Sequence, residues 1–185
     1  MNQHRIFIAI NFPEAIREKL FDLCASWHDM PFRWTKKDDI HITLVFVGYL
    51  VDEQLLKVID CLKEAWRGIE PFEIRLEEIT LAPTAKNPRY IWVHVKAPQE
   101  LQKLHDSIEN KLNFAGIRFK RDYYPYKPHI TLGRRIMGRG EFEAKEVLSE
   151  SLNLTISVKS FEIMESFLSR GGARYQMIQS YKAGA

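Results

Sequence analysis

The sequence predicts an α+β domain built on antiparallel strands. Short β-rich runs and helical repeats are mixed along the chain, and several strand-like runs follow one another with no helix between them. An alternating parallel fold would not show that order. No long polar or low-complexity stretch divides the 185 residues, so residues 1–185 form one domain, with enough chain to bury a real core.

Residues 5–10, Arg-Ile-Phe-Ile-Ala-Ile, are too short and too rich in β-formers for a helix and predict a buried strand. Pro13 marks a helix start, and Ile16, Leu20, Leu23, Cys24 and Trp27 continue at helical spacing. Residues 40–47 are the next strand. Asp52 is placed to cap a second helix carried by Leu55, Leu56, Ile59, Leu62 and Trp66. Residues 72–76 alternate as a half-exposed strand, and residues 90–95 form another. Residues 99–114 predict a third helix, with Leu101, Leu104, Ile108 and Leu112 on one face. Residues 130–132 are a strand with a Pro-rich lead-in, residues 154–168 hold one or two more, and residues 174–181 close the chain.

Composition is that of an ordinary globular protein, 45% hydrophobic and 28% charged, and a net charge of +3 does not by itself name a nucleic-acid binder. The two cysteines, Cys24 and Cys61, lie in helix-like segments with no Cys-x-x-Cys pattern, which predicts free thiols in a reducing compartment. No apolar run approaches a signal-peptide core or a membrane span, so a soluble, cytoplasmic protein with no membrane partner is expected.

One tetrapeptide occurs twice, as His41-Ile42-Thr43-Leu44 and His129-Ile130-Thr131-Leu132. Chance gives some repeated tetrapeptide in on the order of one in five chains of this length, so the identity of the residues matters more than the repetition. Alternation along a strand puts the histidine and threonine of each copy on one face and the two apolar residues on the other. Side by side, two such strands present two imidazoles and two hydroxyls to one small volume. A neutral histidine can take a proton from water, a protonated one can give a proton to a leaving oxygen, and threonine hydroxyls can donate to phosphoryl oxygens. A lone strand histidine is usually packed or solvent-facing; two matching copies favour chemistry. A zinc site has too few ligands here, and neither copy has the close His or Cys spacing of such a site, so no metal and no cofactor are expected. Asp38 and Asp39 fit a solvated turn better than a ligand pair. The other histidines, including His94, are expected to be structural or solvent-facing.

The paired motifs resemble those of the two-histidine phosphoesterase superfamily and, within it, the bacterial and archaeal RNA 2',3'-cyclic phosphodiesterases, also called 2'-5' RNA ligases. The resemblance covers nearly the whole chain: residues 5–10 at the start, 41–48 and 126–134 at the two motifs, and the closing stretches 166–168 and 174–175. Val45-Phe46-Val47-Gly48 departs from the family's more frequent Phe-Leu-Gly. The resemblance implies two lobes of antiparallel sheet lining a central cleft, with outer helices, a pseudo-twofold duplication and one motif per lobe. It implies hydrolysis of an RNA terminal 2',3'-cyclic phosphate to a 2'-phosphate, with reversible 2'-5' ligation at the same site. It makes His41 the proton donor and His129 the proton acceptor, with Thr43 and Thr131 contacting the phosphate. The implied partners are RNA ends carrying the cyclic phosphate, tRNA fragments among them, and a monomer is expected.

Arg134, just past the second motif, is placed to hold a phosphate, with a plain surface arginine as the competing view. Phe7 and Tyr126, with Trp34, Tyr123 and Tyr124, are candidates for stacking on a base, although aromatics at such positions are more often core. Lys36, Lys37, Lys120, Arg121 and Lys127 form either a weak basic rim or a solvated face. Two other functions stay open: a module that binds a nucleotide or RNA end without turning it over, and a phosphoesterase acting on a small cyclic nucleotide.

Overall fold

The computed structural model describes residues 2–121, 125–138, 151–169 and 172–184. In chain order these form β1 (Gln3–Asn11), α1 (Glu14–Ala25), β2 (Phe32–Trp34), β3 (His41–Val51), α2 (Asp52–Cys61), β4 (Phe72–Ala82), β5 (Tyr90–Lys96), α3 (Gln99–Phe114), β6 (His129–Arg135), β7 (Ser151–Val158), β8 (Ser160–Ser169) and β9 (Gly172–Lys182).

The antiparallel α+β class is as the sequence predicts, but the strands do not separate into two sheets. All nine join one curled antiparallel sheet that makes a half-barrel, in the order β7-β4-β5-β6-β3-β1-β8-β9, with β2 also pairing with β6. The join is the pairing of β3 with β6 at Ile42 and Ile130, both fully buried. The apolar halves of the two duplicated tetrapeptides are driven into one core, and that brings the two motif strands side by side.

Each side of this seam repeats a plan. In one half β1, α1, the short β2 and then β3 follow in sequence, and β1 pairs antiparallel with β3; in the other β5, α3 and β6 follow, and β5 pairs antiparallel with β6. Ile6, Ile8 and Ile10 of β1, Ile42 and Leu44 of β3, and Ile130 and Leu132 of β6 share a core with Leu20 and Cys24 of α1, Val58 of α2 and Leu101, Leu104, Ile108 and Leu112 of α3. Full burial of each such side chain contributes about 1.5–3 kcal/mol. The helices thus cover one face of the sheet, and the histidine face is left open.

Several boundaries differ from expectation for identifiable reasons. Asp52 is the first helical residue of α2 and not its cap; the backbone N–H of Val51 instead donates to the Gln54 side chain at 3.1 Å. Leu56, expected on the buried face, is exposed, and Val58 takes its place in the core. The three-residue strand β2 is too short to leave a periodic signal. It sits on β6 because Gly133 lacks a side chain: a Cβ there would lie 3.0 Å from Trp34 Cε3.

Candidate active site

His41 opens β3 and His129 opens β6. The antiparallel register through Ile42 and Ile130 sets His41 across from Thr131 and Thr43 across from His129, so the duplicated motifs make one diagonal set of two imidazoles and two hydroxyls. The expectation that the two copies meet is met by the seam.

Both imidazoles are held alike. His41 Nδ1 lies 2.7 Å from the Asp39 carbonyl oxygen, and His129 Nδ1 lies 2.9 Å from the Lys127 carbonyl oxygen. A carbonyl can only accept, so each Nδ1 carries a proton, and Nε2 is the nitrogen that can exchange one. In each case the anchoring carbonyl is two residues upstream. His41 Nε2 is 3.1 Å from the Thr43 hydroxyl, which donates to it when the ring is neutral.

The surroundings of the two rings differ. His41 packs edge-on against Tyr175, with ring centroids 5.2 Å apart, and against Phe7 at 5.0 Å. Burial there pushes its pKa down to about 4, and the charges of His129 and Arg134 push the same way against the upward pull of the Asp39 hydrogen bond. His129 lies flat on Trp92 at 3.9 Å, and Trp92 in turn is stacked with Tyr90 at 5.8 Å. Tyr90 has the Arg134 guanidinium 5.4 Å from its ring centroid.

Arg134 is exposed, pairs across the sheet with Tyr90, and is close enough for its charge to act on His41. Phe7 is on the histidine face but only 3% exposed, wedged among His41, Phe46 and Tyr175. The Tyr126 hydroxyl donates to the Thr43 carbonyl oxygen at 3.0 Å, and one face of its ring stacks on His105 at 4.3 Å. Trp34 packs with Trp27 and Phe32. Tyr123 and Tyr124 lie outside the described residues.

Asp38 and Asp39 part company. Asp38 is solvated and paired with Arg17, whereas Asp39 is buried, contrary to the expected solvated turn. The Asp39 carboxylate accepts a hydrogen bond from the Tyr175 backbone N–H, and burial raises its pKa. A single residue therefore ties β9 to the anchor of His41. Tyr175, Trp92 and Asp39 are site residues that sequence reasoning misses. His94, expected to be structural or solvent-facing, pairs directly with His129 across β5 and β6 and stands exposed on the same face.

Residues 9–166 match the model of the 2'-5' RNA ligase superfamily. The chain belongs to that superfamily. Among its relatives, the RNA 2',3'-cyclic phosphodiesterase of Archaeoglobus fulgidus is 28% identical over 183 residues, covering 96% of this chain and 99% of that one. The Bacillus subtilis RNA 2',3'-cyclic phosphodiesterase is 27% identical, covering 95% and 94%. In fold the chain is similar to the crystal structure of TT0787 of Thermus thermophilus, with a TM-score of 0.80 at 23% identity over 97% of both chains. It is also similar to Escherichia coli LigT complexed with 3'-AMP, with a TM-score of 0.76 at 24% identity over the full length of both. No helix among the described residues is long and apolar enough to cross a membrane, and the same residues hold no group of three or more His, Cys, Asp or Glu suited to a metal ion.

Proposed function

We propose that this protein opens the 2',3'-cyclic phosphate at the end of an RNA to give a 2'-phosphate, by metal-independent acid–base catalysis between the two halves of the sheet. The observation that carries this reading is the matched anchoring of the two imidazoles: each Nδ1–H is fixed on a carbonyl, so in each ring Nε2 is the nitrogen that moves a proton. Full-length relatives that are RNA 2',3'-cyclic phosphodiesterases support it.

In this mechanism His129 Nε2 takes a proton from the attacking water while His41 Nε2–H protonates the leaving O3', with water and O3' in line on opposite sides of phosphorus. Thr43 and Thr131 donate to the non-bridging oxygens, and Arg134 offsets their charge. The flat Trp92 ring stabilises the imidazolium that forms on His129. His41 is neutral in the free protein at neutral pH, because its pKa is near 4. The anionic cyclic phosphate reverses that balance when it sits against the ring, so His41 gains its proton together with the substrate. The same groups open the ring with a 5'-hydroxyl in place of water, His129 taking its proton and His41 protonating O3', to make a 2'-5' bond.

The deciding experiment incubates the protein with an RNA oligomer ending in 2',3'-cyclic phosphate, in the presence of a chelator, and identifies the product by phosphorus NMR. A 2'-phosphate is expected. A 3'-phosphate or an even mixture would show that the acid is misassigned. Loss of activity that returns with a divalent ion would refute the metal-free mechanism, and binding without turnover would leave a binding module.

A further inference from the structure

The two halves of the open face differ in character. On the β5–β6 side it carries Tyr90 and Trp92, already stacked on each other and, through Trp92, on His129, together with the polar and basic His94, Lys96 and Arg134. On the other side the cross-strand pairs are Phe46 with Phe7, Tyr49 with Arg5 and Met164 with Met177. Irregularities in the β1–β3 register make this possible. Each adds a residue to β3, which keeps Phe46 and Tyr49 on the same face as His41 and Thr43. Phe46 is 56% exposed, Tyr49 60% and Met177 56%, while Phe7 beneath them is buried. The stripe is continuous with the catalytic centre: Phe46 touches Phe7 at 6.1 Å between ring centroids, and Phe7 touches both His41 and Tyr175. It also holds a cation, since Arg5 reaches from β1 to the Ser166 hydroxyl of β8 at 2.8 Å.

We propose that this face is a second nucleic-acid subsite, a track on which the unpaired bases lying 5' of the cyclic-phosphate end stack against Phe46 and Tyr49, with Arg5 beside a backbone phosphate. The inference rests on the proposed division of labour. If His41 protonates O3', the terminal ribose lies against the His41 wall, because O3' belongs to that ribose. The rest of the RNA is attached to the same ribose through its 5' side and so leaves the centre over the β3–β1–β8–β9 half. The nucleophile enters from the other half. Exposed rings beside one cation are the means by which single strands are held without base readout. The ring contacts through Phe7 keep Phe46 within about 11 Å of His41, whereas Tyr49, level with Arg5 while His41 is level with Asn11, lies roughly 20 Å along the strand, beyond the reach of a mononucleotide.

The test compares a cyclic-phosphate mononucleotide with a cyclic-phosphate oligomer of five nucleotides, using wild type, Tyr49→Ala and Phe46→Ala. Wild type is expected to favour the oligomer in kcat/KM. Tyr49→Ala should lower the value for the oligomer by ~5- to 100-fold, the range for loss of one stacked base, and by far less for the mononucleotide. Phe46→Ala should act likewise, with a larger effect on the mononucleotide because it also loosens Phe7. Tyr49→Phe, which keeps the ring, should restore the preference. Equal losses on both substrates, or no preference in wild type, would overturn the track. If wild type turned over neither substrate, the catalytic reading would fall instead. The track would then be judged by fluorescence binding of a 2'-phosphate oligomer against a 2'-mononucleotide, where tighter oligomer binding lost in Tyr49→Ala supports it and equal binding overturns it. Dissociation of a dimer in Tyr49→Ala, measured by sedimentation with RNA affinity unchanged, would make this face a contact between two copies and also overturn the proposal.

Discussion

At the scale of single residues, the two histidines are chemically matched but differently housed. His41 sits in an aromatic corner that disfavours charge, and His129 lies on the face of Trp92, which favours it. Replacing either with Ala should lower turnover of a cyclic-phosphate RNA by ~10²-fold or more, since one proton-transfer group is commonly worth that much. Affinity for a 2'-phosphate product, measured by competition, should survive. A single variant with near wild-type turnover would sink the two-histidine mechanism. The housing adds a second expectation for His41. Its ring resonances in the free protein should titrate near pH 4, from burial, and a bound 2'-phosphate oligonucleotide should move that titration upward. A His41 that titrates at its ordinary value in the free protein would contradict the burial of its ring.

At the scale of elements, the first motif strand is braced from outside the motif. Tyr126 precedes β6 in the chain yet gives its hydroxyl to the Thr43 carbonyl of β3, so the lead-in to the second motif supports the first. Tyr126→Phe removes the donor and leaves that carbonyl without it. A loss of about 1–2 kcal/mol in denaturant unfolding is expected, together with a fall in kcat larger than the rise in KM, because Thr43 shifts under a phosphate that still binds. Unchanged stability would mean that water replaces the hydroxyl at no cost. The long elements are legible in the sequence because their periodicity is strong: the spacing predicts α3 over residues 99–114, where it is found. The motif pair is legible because histidine and threonine recur two apart on strands. Tyr175 and Trp92 are not, since each reaches a histidine across the sheet, and Asp39 is not, since it holds His41 through a backbone carbonyl that any residue two positions upstream would supply. Leu56 misleads because a helix of ten residues has room for one apolar stripe, and Leu55 and Val58 fill it.

At the scale of the whole molecule, burying a histidine beside the seam ties the housing of a proposed catalytic group to stability. His41 has a folded pKa near 4 against an ordinary value of 6.5, so between those pH values the unfolded chain binds a proton that the folded chain refuses. Stability from this group is fully present above pH 6.5 and is lost as pH falls toward 4, by at most about 3 kcal/mol. Two other groups work in the opposite sense. His4 is held between Asp52 and Glu165, which raises its pKa, so its contribution is present below pH 6.5 and is lost as pH rises through the folded value. Asp39 is also raised, by burial, so its contribution is present below its ordinary value of 3.8 and is lost as pH rises through its shifted pKa. The gross acid response is therefore a sum of opposed contributions, and a single curve cannot assign it. The difference between wild type and His41→Asn can, because His4 and Asp39 are common to both. Asn keeps a polar side chain at the seam and does not titrate. Measured by urea unfolding at pH 7 and again at pH 4.5, the variant should gain on wild type as the pH falls, by about 2–3 kcal/mol. A constant difference across that range would mean that His41 accepts its proton in the folded protein as readily as in water, and the corner formed by Phe7 and Tyr175 would then not be what holds it neutral.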